Sequence, residues 1–174
     1  MKPAESESGN STARRRWRRV LEVALIAGVL FAVHCYQTRN IPRGPAPAFE
    51  ARLLDGSKVS LDDYRGRPLL LQFWATWCPV CRLEQNSIDA IARDHQVLTV
   101  SLDEMTLSGL QAWMVEQGVS YPVILDVDGE LAQRYGITGV PGSIVIDGRG
   151  DIRFTEVGYT TETGLRLRLW WAGW

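Results

Sequence analysis

The stretch Pro68-Leu69-Leu70-Leu71-Gln72-Phe73-Trp74-Ala75-Thr76-Trp77-Cys78-Pro79-Val80-Cys81 decides the fold. An apolar run of strand length leads into a two-cysteine turn, and from Val80 to about His95 the chain reads as a helix. A helix start leaves backbone N–H groups unpaired and carries the positive end of the helix dipole, so an anion is stabilised there. The anion this turn can supply is the thiolate of Cys78. Thiolate, not thiol, attacks a disulfide, and such a position lowers a cysteine pKa below its usual value of about 8.5. Cys81 follows almost one turn later, close enough to bond Cys78. Pro79 falls where a missing N–H costs nothing.

Two cysteines at this spacing are also half a zinc site. A structural zinc ion usually takes four protein ligands. Beyond the pair the chain offers only Cys35, His34 and His95. Cys35 and His34 close an apolar segment, and His95 is isolated in sequence. The pair therefore reads first as a redox couple, with a metal half-site or inert thiols as the alternatives.

Toward the N-terminus the chain changes character. Residues 1 to about 13 are polar, lack a hydrophobic period and are expected to be disordered. Arg14, Arg15, Arg16, Arg18 and Arg19 then precede an apolar run, 20–36, interrupted by Glu22. As a helix that run spans about 25 Å, near the lower limit for crossing a bilayer. Only Arg39 and Arg43 follow closely, so the positive-inside rule puts residues 1–19 in the cytoplasm and everything after Tyr36 outside. Ala32-Val33-His34 and Ala46-Pro47-Ala48 are poor cleavage sites, so 20–36 is expected to remain as a transmembrane anchor, with Cys35 a small apolar filler. Residues 37–47, with Pro42, Pro45 and Pro47, read as a stiff linker. Net charge is +5 over 1–44 and −6 over 45–174. An acidic domain argues against a nucleic-acid partner. The basic end suits a position beside anionic lipid.

The remaining chain is long enough for one α/β domain, 48–174, with its own core. Residues 51–54 and 58–61 flank Asp55-Gly56-Ser57 as a hairpin. Leu69–Trp74 is a buried central strand, and Val97–Leu102 a second. Leu107–Gln117 reads as a helix ending at Gly118, Pro122–Leu125 as a short strand and Gly129–Tyr135 as a helix stopped by Gly136. Ser143–Ile146 and Ile152–Val157 pair around 147–150, and Thr161 or Thr163 caps a last helix to about Trp171.

Residues 45–174 resemble the membrane-tethered, periplasmic thioredoxin-like proteins of the TlpA/ResA-like group, redoxins of the AhpC/TSA type. The matching features are Pro47-x-Phe49, the hairpin with Gly56, Gly66-x-Pro68, Phe73-Trp74-Ala75-Thr76-Trp77-Cys78-x-x-Cys81 and Tyr135-Gly136-Ile137-x-Gly139-Val140-Pro141. Cys78-Pro79-Val80-Cys81 and the end, Val157-Gly158-Tyr159 with Gly164–Trp170, look most like the suppressor-of-copper-sensitivity D-type proteins. The resemblance implies a thioredoxin-like fold with an N-terminal hairpin and a helix–strand insertion at about 104–127. It implies a domain in the periplasm, on the bacterial inner membrane, acting on protein thiols and disulfides. Electrons would arrive from a membrane thiol reductase, and no cofactor or metal is expected beside the cysteines.

Cys78 is expected to attack and Cys81 to resolve the mixed disulfide, the two forming the redox-active disulfide. Cys81, Glu84, Ile88 and Ile91 share one helical stripe whose isoleucines face inward, so Glu84 is expected below Cys81 with a raised pKa, taking and returning its proton. The resemblance implies the same role; the alternative is an exposed Glu84 favouring the helix dipole. Plain thioredoxin carries a buried Asp six residues before its first cysteine, where this chain has Gln72, which cannot titrate. Asn86 stands where many relatives have a proline. Pro141 matches the proline that is cis in this fold, turning Val140 toward a substrate strand. Trp77, Pro79, Val80, Val140 and Pro141 are the expected substrate-binding residues. Trp74, Trp113, Met114, Trp170, Trp171 and Trp174 are expected to pack, the last three with the membrane interface as an alternative.

Three rival functions remain at this level, the first a non-enzymatic docking module, against which the retention of both cysteines counts. A thiol peroxidase of the related peroxiredoxins carries Thr three residues before its reactive cysteine, and Ala75 stands there. A copper carrier could use the two thiols, but Met105 and Met114 are not near the pair in sequence. The direction of exchange is not read from the chain, although an oxidising exterior favours a reductase that is recharged.

Overall fold

A computed structural model describes residues 10–174. They fall into two units, divided between Gln37 and Thr38. The described part of the first is helical, in α1 (Asn10–Thr38), of 29 residues, whose last residue falls in the second unit. The expected disorder of 1–13 lies outside the described residues for 1–9 and is corrected for 10–13, which are helical. Propagating a helix is cheap once it is nucleated, so polar residues ahead of the arginines join it. Among the described residues no helix is long and apolar enough to cross a membrane, so the expected crossing by 20–36 rests on sequence alone.

The second unit is built on a mixed sheet. In chain order its strands are β1 (Gly44–Pro45), β4 (Leu69–Trp74), β5 (Gln96–Ser101), β6 (Val123–Leu125), β7 (Gly142–Ile146) and β8 (Asp151–Val157). The spatial order is β1-β8-β7-β4-β5-β6. β4, β5 and β6 run parallel; β7 is antiparallel to β4, β8 to β7 and β1 to β8. The hairpin β2 (Glu50–Arg52) and β3 (Lys58–Ser60) forms a separate small sheet. It joins the main one through a bridge from Leu53 to Ile124. The helices are α2 (Pro79–Ala92), α3 (Leu107–Gln117), α4 (Glu130–Arg134) and α5 (Glu162–Ala172). The insertion expected at about 104–127 is α3 and β6.

All six residues of β4 are buried because both faces of the sheet are covered. Alternation divides them. Leu70 and Trp74 join Ile88 and Ile91 of α2 and Leu165 and Leu169 of α5 in one core. Leu69, Leu71 and Phe73 join Phe49, Leu131 and Tyr135 in the other. Asp89 ties the back of α2 to the end of the α3 turn, accepting from Ser120 N at 2.7 Å and Ser120 Oγ at 3.2 Å. Burial works to raise its pKa, but Ser120 and Arg93 outweigh it and hold the carboxyl below its ordinary value.

Two expectations need correction. The stretch 37–47, expected as a stiff linker ahead of the domain, is built into it: Gly44 and Pro45 form the edge strand β1 opposite Ile152 and Asp151, and Ile41 is buried. The reason is a local fit. Gly136 has a positive φ of 67°, and a Cβ there would collide with the carbonyl of Asn40, so the missing side chain lets 40–41 lie against the turn. The terminal tryptophans do not join the core: Trp170 and Trp171 are exposed, and Trp174, 89% exposed, packs only edge to face on Trp170, with ring centroids 5.8 Å apart. The buried stripe of α5 is Leu165, Leu169 and Ala172, which leaves Trp170 and Trp171 on the outer face.

Candidate redox site

The site forms where β4 ends and α2 begins. Cys78 is the N-cap of α2, with extended backbone, and its Sγ accepts the N–H of Cys81 at 3.1 Å. Pro79 follows at the first helical position. This is the local reason for the motif: the cap must accept an N–H, and sulfur does so here in place of the usual oxygen. The same N–H would stabilise a Cys78 thiolate once the pair is reduced. Cys78 and Cys81 are bonded as a disulfide, with Cα atoms 5.3 Å apart. Both are buried, and Cys78 Sγ lies 3.8 Å from the carbonyl oxygen of Val140. The Val140–Pro141 peptide is cis.

The turn ahead of the cysteines is clamped by a residue that the sequence reading did not single out. Asp103, buried two residues beyond β5, accepts the N–H of Thr76 at 3.1 and 3.0 Å and its hydroxyl at 2.6 Å. It also accepts the hydroxyl of Ser101 at 2.6 Å. The carboxylate therefore fixes the backbone two residues before Cys78. Thr76 and Asp103 are 27 residues apart, and no local pattern marks the pair.

Behind the cysteines, the predicted stripe is buried in full: Cys81, Glu84, Ile88 and Ile91. Glu84 is 1% exposed, so the exposed alternative does not hold. Its Oε2 accepts from Gln72 Nε2 at 3.3 Å, and its Oε1 accepts the N–H of Thr160. Burial pushes its pKa up to about 7, against the pull of these two donors. A carboxyl poised there can hold or release a proton near neutral pH. α2 runs unbroken through Asn86, so the missing proline leaves no kink to explain.

The rim divides by exposure. Trp77 is 65% exposed, Pro79, Val80 and Leu83 are exposed, and Val140 is half-buried above buried Pro141. Trp74 is core, with its ring 5.2 Å from Trp113, and Met114 is buried. A cavity of about 550 Å³ opens beside the cysteines between Trp77, Leu102, Ile137 and Val140. His95 pairs with Asp94 at 2.9 Å at the far end of α2, and Cys35 is an exposed free thiol on α1. The structure thus brings together Cys78, Cys81, Glu84, Val140 and Pro141, with Trp77, Pro79 and Val80 on the outer lip.

The comparisons with known proteins agree with this geometry. The family model described as AhpC/TSA family matches residues 42–155. The chain is 32% identical over 168 residues to the thiol:disulfide interchange protein DsbE of Pseudomonas fluorescens biotype C, covering 89% of this chain and 92% of that one. It is 30% identical over 132 residues to the sporulation thiol-disulfide oxidoreductase A of Bacillus subtilis, covering 72% and 79%. Among solved structures it is similar to the exposed lipoprotein thioredoxin Etrx1 of Streptococcus pneumoniae. There the TM-score is 0.63 at 30% identity, covering 71% of this chain and 98% of that one. With a bonded cysteine pair capping α2 and these relatives, the chain belongs to the AhpC/TSA family, as a thioredoxin-like protein disulfide oxidoreductase.

Proposed function

We propose that this chain reduces disulfides in protein substrates on the periplasmic side of the inner membrane, to which residues 20–36 anchor it. The single observation that carries the exchange chemistry is Cys78 at the N-cap of α2, facing the Val140 carbonyl, with buried Glu84 on the stripe of Cys81. In the reduced enzyme the Cys78 thiolate attacks one sulfur of a substrate disulfide. A Cys78–substrate bond forms, and the other substrate sulfur leaves as a thiolate. Cys81 then gives its proton to Glu84 and attacks Cys78 Sγ. The mixed disulfide breaks, the second substrate thiolate leaves, and the Cys78–Cys81 disulfide remains. Two electrons pass from enzyme to substrate, and a membrane thiol reductase restores the dithiol. Trp77, Pro79, Val80, Val140 and Pro141 would receive the substrate strand.

The placement is supported by the arginines before residue 20 and by the exposed apolar side chains of α1, among them Leu21, Ile26 and Phe31. The suppressor-of-copper-sensitivity likeness of 157–170 supports a narrower reading, in which copper-stress proteins are among the substrates.

The chemistry is tested by trapping. C81S should accumulate mixed disulfides with substrate proteins, because attack is kept and resolution is lost; C78S should accumulate none. The reverse pattern would exchange the two roles. A reduction potential close to that of periplasmic oxidants would refute the reducing direction. A C-terminal reporter active only in the cytoplasm would refute the topology.

A further inference from the structure

We infer that Gln72 and Ser143 are a positioning pair for the exchange reaction, holding the Glu84 carboxyl and setting how readily it takes and returns a proton. The reaction part of this inference rests on Glu84 serving Cys81, as proposed above.

Gln72 is chemically out of place. It sits in the middle of β4, whose other residues are apolar, and is 2% exposed. Strand alternation points it the same way as Leu70 and Trp74, toward α2. A buried amide is costly unless both of its ends are hydrogen-bonded. Here both ends are. Ser143 lies directly opposite Gln72 in the β4–β7 register and is 1% exposed. Its hydroxyl donates to Gln72 Oε1 at 2.6 Å, which leaves Nε2 turned to Glu84 Oε2 at 3.3 Å. The order Ser143, Gln72, Glu84 is thus a chain of donors ending on the carboxylate.

The pair suits both charge states of Glu84. A serine hydroxyl donates or accepts, and a glutamine amide has an accepting end and a donating end. With Glu84 ionised, Nε2 donates to it and Oε1 accepts from Ser143. With Glu84 protonated, the amide can turn over, so that Oε1 accepts from the carboxyl and Nε2 donates to Ser143 Oγ. A leucine at 72 offers neither partner. A carboxylate at 72, as in plain thioredoxin, would compete with Glu84 for the proton.

The ionised state gains more, because hydrogen bonds to charged acceptors are about twice as strong as neutral ones. Removing the amide should therefore raise the Glu84 pKa beyond its present value of about 7. The groups that reach Glu84 are Gln72 from β4 and the Thr160 N–H from the β8–α5 turn, and on α2 the titratable neighbour on its stripe is Cys81, a thiol once the pair is reduced. Among the described residues no charged side chain contributes to its shift, which comes from burial, the Thr160 N–H and Gln72.

The test compares the parent with Q72L and S143A, each also in an E84Q background, using the full-length protein in detergent. The Glu84 titration is read from its infrared carboxyl stretch in the oxidised protein. The pH–rate profile of the Cys81-dependent step is read by quenched flow with a disulfide peptide. Q72L should move both midpoints upward by about one pH unit, a roughly tenfold change in the ionised-to-protonated ratio. S143A should move them the same way by less, and it removes so little volume that it guards against a folding defect in Q72L. In the E84Q background Q72L should alter the rate less than about twofold. An unmoved carboxyl titration in both variants overturns the inference. So does an equal loss of rate from Q72L with and without Glu84, which would make Gln72 merely structural. A titration that moves while the pH–rate profile stays put overturns Glu84 as proton acceptor and leaves only the hold of the pair on its carboxyl.

Discussion

Replacing Glu84 by glutamine should flatten the dependence of the oxidised protein's stability on pH. A carboxyl at 1% exposure keeps its proton longer in the native state than in the unfolded chain. Its pKa is about 7 folded against an ordinary value of 4.5. Between those two values the native state binds more protons than the unfolded state, so stability must fall as pH rises. The contribution is fully present below pH 4.5, is lost progressively through the window and is gone once pH exceeds about 7. A gap of about 2.5 pH units at about 1.36 kcal/mol each amounts to roughly 3 kcal/mol. That is a large part of the stability of a small domain, typically about 5–15 kcal/mol. The assay is urea unfolding of the oxidised full-length chain in non-ionic detergent, from pH 4.5 to 9, for parent and E84Q. Carboxylates held low, such as Asp89, act at lower pH and are common to both proteins. The parent should lose about 3 kcal/mol relative to E84Q between pH 4.5 and 8, then run parallel to it. Two curves parallel over the whole range would refute the reasoning, because Glu84 would then titrate alike in the folded and unfolded chains.

Three further substitutions test the scaffold of the site. D103A leaves the N–H and hydroxyl of Thr76 and the hydroxyl of Ser101 without their acceptor, and should cost about 2–3 kcal/mol in chemical unfolding and slow disulfide exchange. G136A forces a side chain into a positive φ and against the Asn40 carbonyl. It should cost about 2 kcal/mol or more in unfolding and speed proteolysis within 38–47. T161A removes the oxygen that accepts the Gly164 N–H at 3.2 Å at the start of α5, and should lower stability by about 1 kcal/mol while leaving the exchange rate near that of the parent.

Much of the site was legible one element at a time. The strand-turn-helix around Cys78 follows from an apolar run, a proline at the first helical position and the spacing of two cysteines. The burial of Glu84 follows from helical periodicity, because Ile88 and Ile91 on its stripe could face only inward. Gly118 ends α3 in the left-handed conformation, as its position after Gln117 suggested. The sequence misled where residue type was read without its neighbours. The prolines at 42, 45 and 47 suggested a stiff spacer ahead of the domain, yet a two-residue edge strand tolerates proline, and Gly136 makes room for the chain beside it. The terminal tryptophans suggested core packing because they are large and apolar, but Trp170 and Trp171 fall off the buried stripe of α5 and Trp174 lies beyond its end.

What the amino-acid sequence determined by itself is the chemistry and its local frame: a thiol pair at a helix start, a strand leading into it, a carboxyl on the inner face of the helix. These depend on residues within about one or two turns of each other, where periodicity and capping act. Only the tertiary structure decided what each polar group touches. Asp103 reaches Thr76 across 27 residues, Ser143 reaches Gln72 across 71, and Thr160 reaches Glu84 across 76. Those pairings are set by strand order and register, and a shift of one residue would turn Gln72 to the opposite face, away from α2. The acidity of Glu84 is likewise a property of the assembled core, because it balances desolvation against donors supplied by β4 and by the turn before α5.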